Sequence, residues 1–367
     1  MSEVYVLRNK NFPSLKKDFL KVLGKFDFAE KGERIVLKPN ISSPFPSSTG
    51  ATTDVRIVEI IAGYLKRMGV EPLIMEAPIQ IYDFEETMGI TGFRKMCEDL
   101  GIDLINPEED RKVSISLGGE DIRLPKTLFD ADGIVNIPKL KTHTLTGISL
   151  GMKNLKGFLD REGRRKFHSR NIDMLIALLN EKLIHKIRLS VLEGIVGMEG
   201  SGPTHGKPVR GDLLMVGNNN ISVDMVACKI LGVDFHSVKQ IDYAIEMGIA
   251  GSDFEKIKIF GKVPTLKFEI PLQRKSLLDN WAMRSRIISW SLRKLNIPLK
   301  IRDKPVILEE KCSKCLRCVK MCAANAITPP KIDYKKCIGC MQCLEVCPNS
   351  AIKIEGRKHK LLRMLTG

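Results

Sequence analysis

Residues 311 to 354 read KCSKCLRCVKMCAANAITPPKIDYKKCIGCMQCLEVCPNSAIKI and hold eight of the ten cysteines of a 367-residue chain. Cys312, Cys315, Cys318 and Cys322 follow a C-x2-C-x2-C-x3-C spacing, and Cys337, Cys340, Cys343 and Cys347 repeat it 25 positions later. The flanks repeat as well, Ala326-Ile327 against Ala351-Ile352, so the segment is an internal duplication. Each half reads as a cysteine loop, a short helix and a strand. Three thiolates spaced two residues apart can wrap one tight loop around three irons of a cubane, with the fourth ligand supplied from elsewhere. Zinc is the competing reading, but zinc ligands come as two separated pairs rather than as close triplets with a trailing fourth. Disulfides are disfavoured on compartment. The N-terminus MSEVYVLRNKNF lacks a basic-then-apolar signal pattern and no apolar stretch of about 18 residues appears, so the chain reads as cytoplasmic, with no transmembrane segment. In that reducing setting clustered cysteines are metal ligands or redox groups.

Over residues 305 to 355 this stretch resembles the bacterial-type two-[4Fe-4S] ferredoxin module. The resemblance implies two [4Fe-4S] clusters, with the last cysteine of each run ligating the other cluster. Cluster one would take Cys312, Cys315, Cys318 and Cys347, and cluster two Cys337, Cys340, Cys343 and Cys322, so that neither half could fold alone. The chain departs from the family at one place. The second run ends Cys347-Pro348, as the family does, whereas the first ends Cys322-Ala323. Ligation should survive this, but the packing and potential around that cluster come into question. Lys311, Lys314, Arg317 and Lys320 crowd the first loop, and cationic surroundings favour the reduced cluster and a raised potential.

The first 260 or so residues alternate in the manner of an α/β domain. RIVLKP (34–39) and EPLIMEAP (71–78) are short apolar runs bounded by proline, as buried parallel strands are. Between them Val58, Ile61, Leu65 and Met68 share one helical face, with Asp54 placed to cap the start and Gly69 to close the end. Further strands are expected at 103–107, 133–138, 187–195 and 212–217, and helices ending at Gly232 and Gly248. KVSISLGGEDIRL (112–124) alternates with period two around Gly-Gly, which predicts an inserted hairpin. The fold class is therefore α/β, a layered, mostly parallel sheet with an inserted hairpin, followed by a small α+β ferredoxin-like domain. The expected division is an α/β ligand-binding domain at 1–263, a basic helical connector at 264–304, the two-cluster domain at 305–356 and a basic tail at 357–367. For the connector, with both tryptophans and several Arg and Lys, three readings compete: a packed linker, a basic amphipathic helix in peripheral contact with a membrane or partner, and a nucleic-acid contact. The net charge of +16 favours anionic partners without choosing among them, and 6% aromatic content speaks against nucleic acid.

Three segments of the α/β region follow expected strands, where open α/β sheets present ligand sites. In the first, Lys38 and Asn40 lead into a Pro, Ser and Thr loop that ends at a helix start, where backbone amides can hold an anion. In the second, Lys139, Lys141, His143, Lys153, Asn154 and Lys156 sit among glycines and small apolar residues. A solvated lysine face is the plain alternative for any one of them. As a group they suit a carboxylate or phosphate, with Lys38, Asn40, Lys139, Lys153, Asn154 and Lys156 binding and Lys141 and His143 as the catalytic pair, the histidine moving a proton. The third, EGIVGMEGSGPTHGKPVRGDLL, is rich in glycine but lacks G-x-G-x-x-G, and the chain has no G-x-x-x-x-G-K-[ST] phosphate loop. Glu193, Glu199 and Asp224 read as surface carboxylates in preference to a cation site, and Cys97 and Cys228 as core.

Taken together, LKPN (37–40), NIPKLKTHTLTG (136–147), MKNLKG (152–157), EGIVGMEGSGPTHG (193–206) and ISVDMVACKILG (221–232) resemble family 362 of the domains of unknown function, which is found fused to a C-terminal two-cluster ferredoxin in archaea and anaerobic bacteria. The resemblance implies an iron-sulfur protein with a ligand-binding α/β domain and supplies no reaction. Two functions follow. In one, the clusters pass single electrons to or from an anionic small molecule held by the basic loops, a ferredoxin-linked oxidoreductase. In the other, the protein is a non-catalytic electron carrier or complex subunit whose α/β domain docks a partner protein. Either way a redox partner, a ferredoxin or an oxidoreductase, is expected.

Overall fold

The computed structural model describes residues 2–144, 146–200, 202–271 and 304–354. They form two compact units that divide between Ile270 and Pro271.

The first unit is built on a mixed, mainly parallel sheet. Its strands in chain order are β1 (Ser2–Arg8), β2 (Arg34–Pro39), β3 (Glu71–Met75), β4 (Leu104–Ile105), β5 (Lys112–Leu117), β6 (Glu120–Pro125), β7 (Gly133–Ile137), β8 (Lys139–His143), β9 (Gly147–Ser149), β10 (Ile187–Glu199), β11 (Lys207–Gly217) and β12 (Ile257–Phe260). The main path runs β12-β1-β11-β10-β7-β2-β3-β4, and β8 and β9 attach beside β10. From β10 to β4 the neighbours are parallel, while β11 runs antiparallel to both β10 and β1. Alternate residues of the central strands feed two cores. Val36, Leu73 and Ile134 face one, and Ile35, Leu37, Ile74 and Val135 face the other. A strand buried on both faces has no polar side to show, which is why these segments read as continuous apolar runs.

The helix Val55–Arg67 connects β2 to β3 as its pattern predicts. Asp54 accepts a hydrogen bond from the Arg56 amide, and Gly69 takes φ +77 just past the end. Val58, Ile61 and Leu65 are buried, but Met68, at the C-cap, is 37% exposed. The hairpin β5–β6 turns on Gly118 and Gly119, both at positive φ, and stands apart from the main sheet.

Two segments expected as loops are strands instead. β8 continues β7 after Pro138, and both lie parallel beside β10. β10 in turn runs on through the glycine-rich stretch to Glu199 before pairing back with β11. The glycines make room for this. A Cβ on Gly194 would lie 2.9 Å from the Leu140 side chain, and one on Gly197 would lie 2.8 Å from the Leu140 carbonyl oxygen. The first unit also continues past the expected boundary at 263. Leu266 and Phe268 are buried in its core, and the Leu266 amide donates to the Ile230 carbonyl. The rest of the expected connector, 272–303, and the basic tail lie outside the described residues.

In the second unit β13 (Pro305–Ile307) pairs antiparallel with β16 (Ile352–Ile354), and β14 (Ile327–Thr328) with β15 (Lys331–Ile332). Each half carries a cysteine loop followed by a short helix, Arg317–Met321 and Gln342–Glu345. The duplication is visible in the backbone. Positive φ angles at Lys314, Leu316 and Asn325 recur 25 residues later at Gly339, Met341 and Ser350.

Leu37 is fully buried in β2 at the centre of the first unit. Leu37→Ala should lower stability by about 2–5 kcal/mol in chemical denaturation of that unit.

Candidate functional site

The parallel strands β2, β3 and β7 all end at the same edge of the sheet, and the sequence places a polar residue at or just past each end. Lys38 of β2 meets Glu76, one residue beyond β3, with Nζ 2.5 Å from Oε2, and both side chains are buried. Glu76 also accepts from the Ile41 and Ala77 amides. Burial pulls the Lys38 ammonium below its ordinary pKa, against the opposing pull of Glu76. Lys139 of β8 pairs likewise with Glu193 of β10, and Glu193 further accepts from the Asp54 and Ile195 amides. These lysines are therefore not a solvated face. The carboxylates need correction too: Glu193 and Asp224 are fully buried, and only Glu199 is partly exposed. Asp224 accepts from the Gly151 and Met152 amides at the start of the helix Gly151–Asn154, and burial raises its carboxyl to about 7.

Asn40 and Asn154 belong to a relay of amides. Lys141 Nζ donates to Asn40 Oδ1 at 2.7 Å, and Asn40 Nδ2 donates to Asn154 Oδ1 at 2.9 Å. Asn154 donates to Asn136, Asn136 to Asn220, and Asn220 to Asn180, each at 2.8 Å. All donors point the same way along this chain, from the ammonium inward. Such a network holds its members in one arrangement, because a buried amide left unpaired is costly. Lys141 donates as well to the Ala51 carbonyl at 2.9 Å.

Around the head of the relay the basic residues gather. Lys153 Nζ lies 3.3 Å from Thr146 Oγ1, and Lys156 Nζ lies 2.7 Å from His168 Nε2. The Thr146 amide donates to His143 Nδ1 at 3.4 Å, which puts the proton of the neutral ring on Nε2. Burial holds His143 well below its ordinary pKa, and the nearby Lys153, Lys156, His168 and Lys141 push it further the same way. The geometry thus brings Lys141, His143, Lys153 and Lys156 into one electrostatic neighbourhood with Asn40 and Asn154, while Lys38 and Lys139 sit in ion pairs beside it. Sequence reasoning missed Glu76, His168 and the inner asparagines Asn136, Asn180 and Asn220. Glu76 alone carried a signal, since it ends an apolar strand run as Lys38 does.

In the second unit the cysteines group across the duplication. Burial pushes the Cys318 thiol up to about 11, and Cys315, Cys347 and Cys312 add to the effect by proximity. Cys340 is pushed up to about 11 by burial, with Cys322 and Cys337 nearby, and Cys343 rises under burial and under Cys340, Cys337, Cys318 and Cys322. The fourth cysteine of each run thus stands with the triplet of the other. Both fourth sulfurs receive a backbone hydrogen bond at 3.2 Å, from Ala326 to Cys322 and from Ala351 to Cys347. Thiols gathered in this way, and raised chiefly by burial, can be deprotonated by a metal group on binding.

Residues 35–229, more than half of the chain, match the domain of unknown function DUF362. The chain belongs to the DUF362 family. Residues 330–353 match a 4Fe-4S binding domain, which makes this DUF362 protein an iron-sulfur protein with a ferredoxin-type module and an electron-carrier role. It is 26% identical over 268 residues to the thylakoid-associated protein sll1697 of Synechocystis, covering 71% of this chain and 79% of that one. The lactate racemase apoprotein of Thermoanaerobacterium thermosaccharolyticum superposes with a TM-score of 0.42 at 13% identity, over 62% of this chain and 56% of its own. Among the described residues no helix is long and apolar enough to cross a membrane.

Two outcomes test the buried charges. Lys38→Met leaves Glu76 charged and uncompensated, at a cost of about 3–5 kcal/mol. Adding Glu76→Gln removes that charge and keeps one oxygen as an acceptor, for either the Ile41 or the Ala77 amide but not both, so denaturant titration should show the double variant recovering part of the loss. For His143 the folded pKa is depressed, so its contribution is full above the unfolded value of about 6.5 and is lost as pH falls toward the folded one. Thermal unfolding between pH 7 and pH 5 should therefore decline less steeply in His143→Gln than in the parent.

Proposed function

We propose that this protein holds two [4Fe-4S] clusters crosswise and passes single electrons between a redox partner protein and an anionic small molecule bound in the first unit. Cluster one would be held by Cys312, Cys315, Cys318 and Cys347, and cluster two by Cys337, Cys340, Cys343 and Cys322. The observation that carries this reading is the exchanged position of the fourth thiols, Cys347 beside the first triplet and Cys322 beside the second. When bound, such clusters supply reversible one-electron storage. The chain supplies the thiolates, and the Ala326 and Ala351 amides donate to two of the sulfurs.

In the first unit Lys141, Lys153 and Lys156 are suited to neutralise a carboxylate or phosphate, with Asn40 and Asn154 fixing the position of the Lys141 ammonium. His143, neutral and protonated on Nε2, is suited to donate a hydrogen bond from that nitrogen. Lys38 and Lys139 are offset by Glu76 and Glu193, and hold the strand ends together rather than meet the substrate. The proposed setting is a reducing cytoplasm. A second reading, a carrier or complex subunit whose first unit docks a partner without chemistry, draws on the burial of Lys38, Lys139 and Lys141 to 1% exposure or less.

Paired cysteine substitutions test the ligand sets. With crosswise ligation, Cys347→Ala combined with Cys315→Ala strikes one cluster and leaves the other, whereas Cys347→Ala combined with Cys340→Ala strikes both. Iron and sulfide analysis with EPR of anaerobically purified protein reads the difference, and the reverse pattern would mean that each run serves its own cluster. Lys141→Met then tests the site: lost turnover with unchanged cluster spectra supports catalysis there, and unchanged turnover removes the site assignment.

A further inference from the structure

The duplication in the second unit provides its own internal comparison, because each loop position has a counterpart 25 residues away. Leu316, at the tip of the first cysteine loop, is 51% exposed, whereas its counterpart Met341 is 3% exposed. Cys315 is exposed while Cys340 is partly buried. The charges diverge at the same places. Lys314, Arg317 and Lys320 stand where the second loop has Gly339, Gln342 and Glu345, and only Lys311 keeps a lysine counterpart, Lys336. Lys311, Lys314 and Lys320 are exposed and Arg317 is partly buried. Glu309 and Glu310 lie just before this stretch, and residues 311 to 320 contain no acid.

Two features of Leu316 make its exposure informative. Its backbone is left-handed, at φ 62, a conformation that a leucine rarely adopts, and at 51% exposure the side chain gains only part of its burial to offset this. An exposed apolar side chain with cations within five positions on either side, in a cysteine loop, has the ingredients of a recognition patch, an apolar centre and charge that steers approach.

We propose that the first cysteine loop, centred on Leu316 and rimmed by Lys311, Lys314, Arg317 and Lys320, is the docking face for a small acidic electron-transfer protein, and that the second loop is not. The partner's chemistry follows by complementarity: carboxylates around an apolar spot. This rests on the iron-sulfur reading above and names the partner's side of it.

The test uses the full-length, cluster-loaded, oxidised protein and an acidic flavodoxin as the probe, with affinity measured by calorimetry at low and high ionic strength. Binding of the parent should weaken at least ten-fold as salt rises, and Lys314→Glu with Lys320→Glu should weaken it at least ten-fold at low salt. Leu316→Asn, which tolerates the left-handed backbone, should weaken binding several-fold without changing its salt dependence. Lys335→Glu with Lys336→Glu, on the second loop, should change it less than two-fold. Iron content and EPR spectra must match the parent in every variant. Absent or salt-insensitive binding, equal losses from the two loops, or tighter binding to phosphatidylglycerol vesicles through the same residues would overturn the proposal. Failure of the iron-sulfur reading is distinct, because the parent itself would then lack clusters.

Discussion

On the proposed crosswise ligation, the second unit depends on the exchange of thiols between its two halves. Its apolar core is slight: among the described residues Ile307, Ile327 and Ile352 cluster with Cys318 and Cys343, and Met321, Ala326, Met341, Val346 and Ala351 are also buried. A segment of this size rarely sustains itself on so little burial, and small domains make up the deficit with disulfides or metals. Cys347 lies near Cys318 and Cys322 near Cys343, so a group bound as proposed would also tie one half to the other. Binding energy then becomes folding energy. The same geometry accounts for the repeated left-handed residues, which turn each loop back so that its thiols converge.

The first unit solves a different problem. It has apolar surface in plenty, with helices on both faces of the sheet, yet it buries Lys38, Lys139 and Lys141 at one edge of that sheet. An ion pair is weak evidence for stability when buried, since desolvation consumes most of its attraction. What the arrangement provides is position. Glu76 and Glu193 fix two lysines, the amide relay from Asn40 to Asn180 fixes a third, and Lys153, Lys156 and His168 bring further basic groups beside His143. Strain and buried polarity concentrated at strand ends are where a layered α/β fold departs from the rules that make its core legible.

Much of this was readable in the sequence, and the exceptions have identifiable causes. The run RIVLKP, the capped helix after Asp54 and the Gly-Gly hairpin follow local rules of periodicity and turn chemistry, and each is found where those rules put it. The cysteine spacing gave the duplication directly. The lysines of β8 were legible as a group, but not as a strand, because a segment with alternating lysines and small residues carries no apolar period. The glycines of β10 looked like loop residues, whereas their role is to let Leu140 approach. Such contacts join residues more than fifty positions apart, and local pattern cannot register them. Glu76 and His168 lie 38 and 12 positions from Lys38 and Lys156, and neither pair falls on a shared strand or helix face that a local period would mark.

Native mass spectrometry of the anaerobically purified full-length chain tests the central claim most directly. A single dominant species carrying the mass of two Fe4S4 units is expected. A chain that binds one such unit, or zinc in its place, would contradict it.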